Sequence, residues 1–256
     1  MTSGNQPVLS IITVVRNRVN EIEKTITSVL SQSYKNIEYI IIDGNSSDGT
    51  TEIIKKYDNN ISFWVSEPDT GIYNAMNKGI NQATGEYIQF MNAGDYFLDQ
   101  DMLEKVFSEP KTEDILYGDY YLSTDKKQTR YYPDQLTMFY FYFSSLGHQA
   151  SFIKRSLFDK YKYNESYKIV SDWEFFFRKI IFENCTTKHL NYPICFFDLQ
   201  GISESAVTKE LEKKERNDVI SKLVPKKLIP DFEELYQLRV FQHTKRYRYF
   251  IKYFFK

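Results

Sequence analysis

The stretch from Glu86 to Phe97 combines an apolar run with a carboxylate at its end. Tyr87–Met91 predicts a short buried strand, and Asn92-Ala93-Gly94 ends it directly before Asp95. Ligands of open α/β sheets bind at the carboxyl ends of strands, where an aspartate can hold a cation against a phosphate group. Asn, Gly and Asp are equally typical of an ordinary turn. The stretch alone leaves a metal site and a turn open, so the surrounding elements must decide.

The chain before this stretch predicts a sheet with helices between its strands. Apolar, β-branched runs predict buried strands at Val8–Val15, Ile37–Ile42 and Ile61–Val65. Helical patterns occur at Val19–Ser31, Thr50–Tyr57 and Ile72–Ile80. Near-continuous apolar strands that are joined through helices form parallel sheets with right-handed crossovers. Asp95 would then lie at the carboxyl edge of such a sheet.

Common nucleotide- and cation-binding motifs are absent from the sequence. No GxGxxG follows the first strand and no GxxxxGK[ST] occurs, which argues against a dehydrogenase-type dinucleotide fold and against a P-loop. Asp43, Asn45 and Ser47 have the spacing of a calcium loop. That loop needs a glycine where Asp48 stands and a glutamate where Ile54 stands, so we reject it.

The composition predicts one large α/β domain with an appendage. The chain has 256 residues, of which 42% are hydrophobic and 26% charged, so a packed core is expected. The formal net charge is −1, but residues 206–256 contain 13 Lys and Arg against 7 Asp and Glu, which leaves −7 on the rest. Nucleic-acid-binding proteins place basic residues at the site itself, so the acidic body argues against nucleic acid as a partner. The basic C-terminal part is suited to an anionic partner.

Cysteine content and hydrophobic pattern indicate the compartment. Cys185 and Cys195 show no CxxC spacing, so we expect ordinary core residues in a reducing environment. Met1–Pro7 has no basic region followed by an apolar one, and no apolar run approaches the ~20 residues of a membrane helix. We therefore expect a cytoplasmic protein.

Five ordered motifs in roughly the first hundred residues resemble one known family. They are Ser10–Asn17, Ile40–Thr50, Asp69–Gly79, Gly85–Tyr87 and Asn92–Asp95. Together they resemble family 2 glycosyltransferases of the GT-A fold, although each motif alone is a weak signal. Weaker resemblance continues through Gly147–Gln149 and Ser171–Phe175 and fades after Ser205.

The resemblance implies an α/β protein of the GT-A fold, with a single, mainly parallel sheet flanked by helices. It assigns residues 1–205 to the glycosyltransferase domain. Residues 206–256 remain as a basic, aromatic and helical C-terminal extension.

The resemblance also implies a binding site for a nucleotide-sugar donor, with a UDP-sugar favoured. Thr13 and Asp43 would contact the nucleobase and ribose, and Asp69 would help close the base pocket. Lys78 would lie near that pocket or near the diphosphate, and Asn92 would also contact the donor.

Asp95 would be the carboxylate that binds Mn²⁺ or Mg²⁺ in such a family. Relatives often have two successive aspartates at this point, and Gly94 replaces the first of them. A single carboxylate is sufficient if the diphosphate and water supply most of the ligands of the metal. The metal would stabilise the charge that develops on the diphosphate leaving group.

On the acceptor side the resemblance implies roles for His148, Asp172 and Glu174. His148 begins a predicted strand, His148–Ile153, and would contact the acceptor or a phosphate; a structural histidine is the alternative. Asp172 matches the position of the family's general base, and Glu174 is the second candidate. An N-cap role at the start of a helix is the structural alternative for Asp172.

The C-terminal part predicts helices and a membrane-binding surface. Gln200–Ser203 resembles the mobile loop that covers the donor in relatives, with an ordinary turn as the alternative. Val207–Leu223 predicts a charged helix that Pro225 and Pro230 end. From His243 to Lys256, aromatic and basic residues fall on different sides of a helix, which is the pattern of an interfacial helix on anionic lipid. Packing on the body or on a partner subunit is the alternative.

The sequence thus predicts a metal-dependent, inverting glycosyltransferase. A sugar would move from a nucleotide donor to a hydroxyl of a saccharide or polyprenyl-linked saccharide, and Asp172 would remove the proton. A polyprenyl-linked acceptor would place the protein peripherally at the inner face of the membrane. A non-catalytic nucleotide-sugar-binding protein is one alternative, because Gly94 and Ser171 stand where relatives often carry acids. A nucleotidyltransferase is less favoured, because Val15–Arg18 contains no glycine.

Overall fold

The structure is a computed structural model that describes residues 8–122, 128–199 and 206–242, and nine strands within these ranges form one sheet. The strands are β1 (Leu9–Val15), β2 (Ile37–Asp43), β3 (Phe63–Ser66), β4 (Tyr87–Phe90), β5 (Tyr96–Phe97), β6 (Ile115–Leu122), β7 (Thr129–Arg130), β8 (Ser151–Lys154) and β9 (Thr187–Phe197). The α-helices are α1 (Ile22–Leu30), α2 (Thr50–Lys55), α3 (Ile72–Gln82), α4 (Met102–Phe107), α5 (Met138–Phe143), α6 (Ser171–Phe177), α7 (Ala206–Leu223) and α8 (Ile229–Gln242).

The first half of the sheet is parallel. Strands β3, β2, β1 and β4 lie side by side in that order, and each pairing among them is parallel. Every residue of β1 is buried, as a strand covered by helices on both faces requires. The predicted strand–helix alternation is therefore confirmed for this half of the chain.

The second half of the sheet is mixed. Strand β8 runs antiparallel to both of its neighbours, β4 and β6, whereas β9 is parallel to β6 and antiparallel to β5. The α/β class and the flanking helices are confirmed, but the parallel pairing does not continue across the whole sheet. A buried apolar run such as that of β8 has no sequence feature that reveals its direction.

Helices cover both faces of the sheet, and alternate residues of β1 face opposite cores. Ile12 and Val14 belong to the core that α3, α6 and α7 cover, whereas Leu9 and Ile11 belong to the core beneath α1 and α4. This is the two-residue alternation of a strand that is buried on both sides.

Helix α7 packs against the same core as the sheet. Val219, Ile220 and Val224 are buried in it, beside residues of α3 and α6. The helix predicted over Val207–Leu223 is thus confirmed, and its apolar residues fix it to the body of the protein.

Helix α8 follows α7 and packs on α5. The ring centroids of Phe143 and Tyr236 are 4.3 Å apart in a stacked arrangement. The prediction that Pro230 ends a helix is wrong, because Pro230 lies in the first turn of α8, where a missing backbone N–H costs nothing. The predicted loop Gln200–Ser203 and the predicted interfacial helix His243–Lys256 lie outside the described residues.

The segment around His148 differs from its prediction. His148–Ala150 forms one turn of 3₁₀-helix, and β8 begins only at Ser151. The hydroxyl of Ser151 donates a 2.7 Å hydrogen bond to the carbonyl oxygen of Gly147, which closes this turn before the strand starts. The predicted strand from His148 is therefore wrong at its first three residues.

Within residues 8–122, 128–199 and 206–242, no helix has the length and apolar character needed to cross a membrane.

Candidate active site

A cavity of about 490 Å³ opens at the carboxyl ends of β1 and β4. The chain proceeds from β1 to β2 and β3 on one side and then returns to β4 on the other, so the strand order reverses between β1 and β4. Open α/β sheets bind their ligands at such a switch point. Val14, Val15, Asn92 and Ala93 line the sheet side of the cavity, and residues of α6 and α7 line the opposite side. The volume is in the range of small-molecule sites, about 300–1,000 Å³.

Five of the residues predicted from the sequence line this cavity. They are Asp69, Asn92, Asp95, His148 and Asp172. Asn92 and Asp95 share the segment between β4 and β5, whereas the other three come from separate segments, and the fold brings all five to one edge of the sheet. Asp69 is fixed by the backbone N–H of Gly71, which donates to its Oδ1 at 2.9 Å.

Thr13 and Asp43 do not line the cavity. Their side chains form hydrogen bonds that fix the strand ends around it. Thr13 is fully buried, and its hydroxyl donates a 2.7 Å hydrogen bond to the carbonyl oxygen of Met91, which ties β1 to the end of β4. The carboxylate of Asp43 accepts from the backbone N–H of Ser46 at 2.9 Å and from the hydroxyl of Ser66 at 2.6 Å. Both side chains are thus occupied in shaping the strand ends around the cavity.

Lys78 and Glu174 also lie outside the cavity lining. Lys78 forms an ion pair with Glu67 at 2.7 Å and donates to the carbonyl oxygen of Pro68 at 2.8 Å. Glu174 is buried on the other side of α6 from Asp172, because residues two apart on a helix do not share a face. It accepts a 2.8 Å hydrogen bond from the hydroxyl of Tyr161.

One end of the cavity holds a pair of carboxylates, Asp95 and Asp198. Asp95 is 3% exposed, and its Oδ1 accepts a 2.8 Å hydrogen bond from the backbone N–H of Asp198. The carboxylate of Asp198 forms an ion pair with Arg18. The pairing of Tyr96 with Phe196 across β5 and β9 brings these two segments together.

Gly94 makes room for this arrangement. Its φ of 109° lies in the left-handed region that favours glycine. A Cβ at this position would lie 2.6 Å from Oδ2 of Asp198 and 2.9 Å from Nη2 of Arg18. The absence of a side chain at Gly94 therefore leaves room for Asp198, which follows the end of β9, and for Arg18.

The protonation of Asp95 depends on its burial. Loss of solvent raises the pKa of this carboxyl from its ordinary value of 3.8 to about 7, and the negative charge of Asp198 acts in the same direction. The backbone N–H of Asp198 and the charges of His148 and Arg18 lower it, but by less. Among the described residues no group of three or more His, Cys, Asp or Glu side chains is arranged to hold a metal by itself. A cation at Asp95 would need oxygen ligands from outside the protein.

The middle of the cavity contains a hydrogen-bonded chain of Tyr73, Asp172, His148 and Asn92. Oδ2 of Asp172 lies 2.8 Å from Nδ1 of His148, and Nε2 of His148 lies 3.0 Å from Nδ2 of Asn92. The hydroxyl of Tyr73 donates to Oδ1 of Asp172 at 2.9 Å. Asp172 does not cap α6, because the N-cap is Val170 and the side-chain bond of Asp172 goes to the adjacent backbone N–H.

Asp172 and His148 stabilise each other's charged forms. Burial raises the pKa of Asp172, but the hydrogen bond and charge of His148, together with the hydrogen bonds from Tyr73 and Trp173, outweigh it and hold that pKa below its usual range. Burial lowers the pKa of His148, but the contact with Asp172 and the charge of Asp95 together outweigh it, so the net effect on this histidine is a raised pKa. Asp172 is therefore a charged carboxylate at neutral pH.

The far wall of the cavity comes from α6 and α7. The guanidinium of Arg216 lies 4.6 Å from the ring centroid of Trp173, and its Nε donates to Glu212 at 2.9 Å. Its Nη1 donates to the carbonyl oxygen of Ser144 at 3.2 Å. Aromatic faces beside paired charged groups suit a ligand that is rich in hydroxyls.

Arg18, Asp198, Glu212 and Arg216 were not among the residues predicted from the sequence. Asp198 offers the same signal as Asp95, because it follows an apolar run at the end of a strand. Glu212 and Arg216 have no such signal, since they belong to a uniformly charged helix whose inward face the sequence does not reveal.

Comparison with known families places the chain in one class. A family model described as Glycosyl transferase family 2 matches residues 10–184. The fold and the site therefore define a glycosyltransferase, and the chain belongs to glycosyl transferase family 2.

Two mycobacterial relatives cover most of the chain. An uncharacterized glycosyltransferase of Mycobacterium tuberculosis is 31% identical over 225 residues, which are 83% of this chain and 84% of the relative. A PGL/p-HBAD biosynthesis glycosyltransferase of Mycobacterium bovis is 28% identical over 217 residues, which are 81% of this chain and 84% of the relative.

Solved structures share the GT-A fold. S. aureus TarS 1-349 in complex with UDP-GlcNAc has a TM-score of 0.64 at 16% identity, over 88% of this chain and 78% of that chain. The mannosyltransferase PcManGT from Pyrobaculum calidifontis, in complex with GDP-Man and Mn²⁺, has a TM-score of 0.59 at 13% identity, over 97% and 84%. Identities this low support the fold alone.

The raised pKa of Asp95 predicts how its replacement changes stability with pH. The folded protein keeps a proton on this carboxyl up to about pH 7, whereas the unfolded chain releases it near its ordinary value of 3.8. Between these values the folded state binds more protons, so stability falls as pH rises.

Asp95→Asn removes this loss, and in EDTA it should therefore raise the melting temperature more at pH 8 than at pH 5. The exposed Asp159→Asn serves as the control. An equal effect of Asp95→Asn at both pH values would contradict the assignment.

Proposed function

We propose that the protein is an inverting, metal-dependent glycosyltransferase that moves a sugar from a nucleotide-sugar to a saccharide or lipid-linked saccharide hydroxyl. One observation carries this proposal: a single cavity at the switch point contains both the Asp95–Asp198 carboxylate pair and the charged Asp172–His148 pair. The first suits a cation with a diphosphate, and the second suits removal of a hydroxyl proton.

The donor occupies the sheet side of the cavity in this proposal. The strand ends of β1 and β4, with Asp69 and Arg18, line that side. Arg18 lines the cavity and forms an ion pair with Asp198, so it is suited to hold a phosphate oxygen. Solved structures of similar fold contain UDP, UDP-GlcNAc or GDP-Man. We favour a UDP-sugar as the donor.

Asp95 and Asp198 would hold the divalent cation, Mn²⁺ or Mg²⁺. Their oxygen donors fit a hard cation, and a diphosphate and water would supply its remaining ligands. When bound, the cation neutralises charge that develops on the leaving diphosphate. A glycine at position 94 would favour a non-catalytic protein if Asp95 had no second carboxylate beside it. Asp198 supplies that second carboxylate.

Asp172 acts as the general base in this proposal. Tyr73 and the backbone N–H of Trp173 fix its Oδ1, and His148 fixes its Oδ2. The carboxylate is thereby held charged and in one orientation, ready to accept the proton of an acceptor hydroxyl that approaches from the α7 side. Attack from the face opposite the diphosphate inverts the anomeric centre.

Asp95→Ala tests the donor site. The variant should bind UDP or GDP no better with Mn²⁺ than with EDTA, and it should hydrolyse the donor at least about 100-fold more slowly. Calorimetry measures the first effect, and nucleoside diphosphate release from UDP-GlcNAc and GDP-mannose measures the second. The exposed Asp159→Ala is the control. Full activity of Asp95→Ala would refute the metal assignment.

The choice between the two candidate bases is tested by neutral isosteres. Asp172→Asn should reduce kcat about 10²–10⁴-fold and leave nucleotide affinity in place, because only proton transfer is lost. Glu174→Gln should retain turnover, since Glu174 faces Tyr161 rather than the cavity. The opposite pattern in steady-state kinetics would assign the base to Glu174.

We also propose that residues 243–256 attach the protein to an anionic membrane surface, which would bring it to a polyprenyl-linked acceptor. Five basic residues follow His243 without acidic neighbours, and each basic residue near such a surface contributes about 1 kcal/mol. Exposed Leu235 and Leu238 on α8 precede this segment. A chain that ends at Gln242 should lose sedimentation with phosphatidylglycerol vesicles, whereas the full chain should sediment with them and not with phosphatidylcholine. Equal sedimentation of both chains with phosphatidylglycerol vesicles would contradict membrane attachment through this segment.

A further inference from the structure

Helix α7 lies beyond residues 10–184, which the family model matches, yet it contributes to the cavity. Glu212 and Arg216 line the cavity on the face of α7 that meets α6. Between them in sequence is Glu215, which does not line the cavity and is 7% exposed. A buried carboxylate is costly unless it is hydrogen-bonded, so its partners indicate what it does.

The carboxylate of Glu215 accepts hydrogen bonds from three consecutive backbone N–H groups. Lys168 donates to Oε1 at 2.8 Å, and Ile169 and Val170 donate to Oε2 at 3.0 Å and 3.3 Å. Bonds from N–H groups to a charged carboxylate are stronger than those between neutral groups. Glu215 therefore fixes the backbone of the segment that immediately precedes α6.

That segment is coupled directly to Asp172. The hydroxyl of Tyr73 lies 2.6 Å from the carbonyl oxygen of Ile169 and 2.9 Å from Oδ1 of Asp172. Glu215 thus accepts from the N–H of Ile169. The carbonyl oxygen of Ile169 and the carboxylate of Asp172, the proposed base, both lie within hydrogen-bond distance of the Tyr73 hydroxyl. Val170 is the N-cap of α6, so a shift at Ile169 or Val170 would move Asp172 within its network.

We propose that Glu215 is a positioning residue for Asp172, which makes α7 part of the catalytic unit. Glu215 touches neither donor nor acceptor. It holds the 168–170 segment so that Asp172 keeps both its bond to His148 and its orientation toward the cavity. This inference rests on the proposed role of Asp172 as general base.

Glu215→Gln is the variant that tests this role. The amide keeps the size of the side chain but replaces one accepting oxygen by an NH₂ group, which cannot accept from the backbone N–H groups. Glu210→Gln is the matched control, because it makes the same charge change at an exposed position of α7.

The first measurement is the pKa of His148 in the full chain with EDTA. NMR of histidine-labelled protein is used to determine it. The chain has three histidines, so a His148→Gln spectrum assigns the signal. Asp172 and Asp95 both act on His148 and raise its pKa. If Asp172 moves away in Glu215→Gln, the pKa of His148 should fall by about half a pH unit or more. Glu210→Gln should leave it unchanged. A loss of global stability alone would not move this value in the folded protein.

The second measurement is steady-state hydrolysis of UDP-GlcNAc and GDP-mannose. Glu215→Gln should lower kcat about ten- to a hundredfold, because misplacement of a catalytic group is costly, and it should leave the donor KM and the affinity for UDP or GDP nearly unchanged. Glu210→Gln should match the wild type.

Two results would overturn the positioning role. One is a Glu215→Gln variant whose His148 pKa equals that of the wild type, whatever happens to kcat. The other is a lowered His148 pKa with an undiminished kcat. A wild-type protein that hydrolyses neither donor would count against the proposed function, and the NMR measurement would still decide whether Glu215 positions Asp172.

Discussion

The site depends on how two buried aspartates obtain partners for their negative charge. A carboxylate removed from water must find hydrogen-bond donors, a counter-charge or a proton. Asp172 has donors on both oxygens, from Tyr73, the backbone of Trp173 and His148, and its pKa lies below its usual range. Asp95 has the backbone N–H of Asp198, and burial raises its pKa to about 7. Asp172 is therefore held as a charged carboxylate, whereas the charges of His148 and Arg18 near Asp95 do not offset the effect of its burial.

This difference follows from where the fold places each aspartate. Asp95 stands at the switch point between β1 and β4, against a second carboxylate from the end of β9. Asp172 stands at the start of α6, where Tyr73 and the segment held by Glu215 surround it. The sheet thus supplies the end of the cavity that contains Asp95, and the helical layer supplies the end that contains Asp172. Helix α7 belongs to this helical layer, because Val219 and Ile220 are buried in the core that it shares with α3 and α6.

The sequence was sufficient for the strands and helices of the parallel half of the sheet and for the residues that end them. Asp95 follows an apolar strand and Asp172 opens a helix, so pattern and family resemblance together locate both near the site. Lys78 and Glu174 show the limit of this reasoning. Each lies on a helix near the cavity, but the ion pair of Lys78 with Glu67 and the burial of Glu174 against Tyr161 turn them away from it.

Residues whose place in the site depends on long-range pairing could not be predicted from the sequence. Asp198 meets Asp95 only because β9 pairs with β5 in a particular register, and no periodicity specifies that register. Glu215 meets the segment before α6 only because α7 packs there, and its charged neighbours on α7 give no sign of which face is buried. The need for a glycine at position 94 could not be predicted either. The side chains that a Cβ there would meet belong to Asp198 and Arg18, which lie far from it in sequence.

The most direct test is the position of Mn²⁺ in crystals of the full chain grown with MnCl₂ and either UDP or GDP. We predict an anomalous-scattering peak within about 2.5 Å of a carboxylate oxygen of Asp95, bridged to the diphosphate. Asp198 should lie at the same ion or release Arg18 to the diphosphate. A nucleotide bound in the cavity with no Mn²⁺ peak at Asp95, or with the peak at other side chains, would contradict the assignment of this cavity as a metal-dependent donor site.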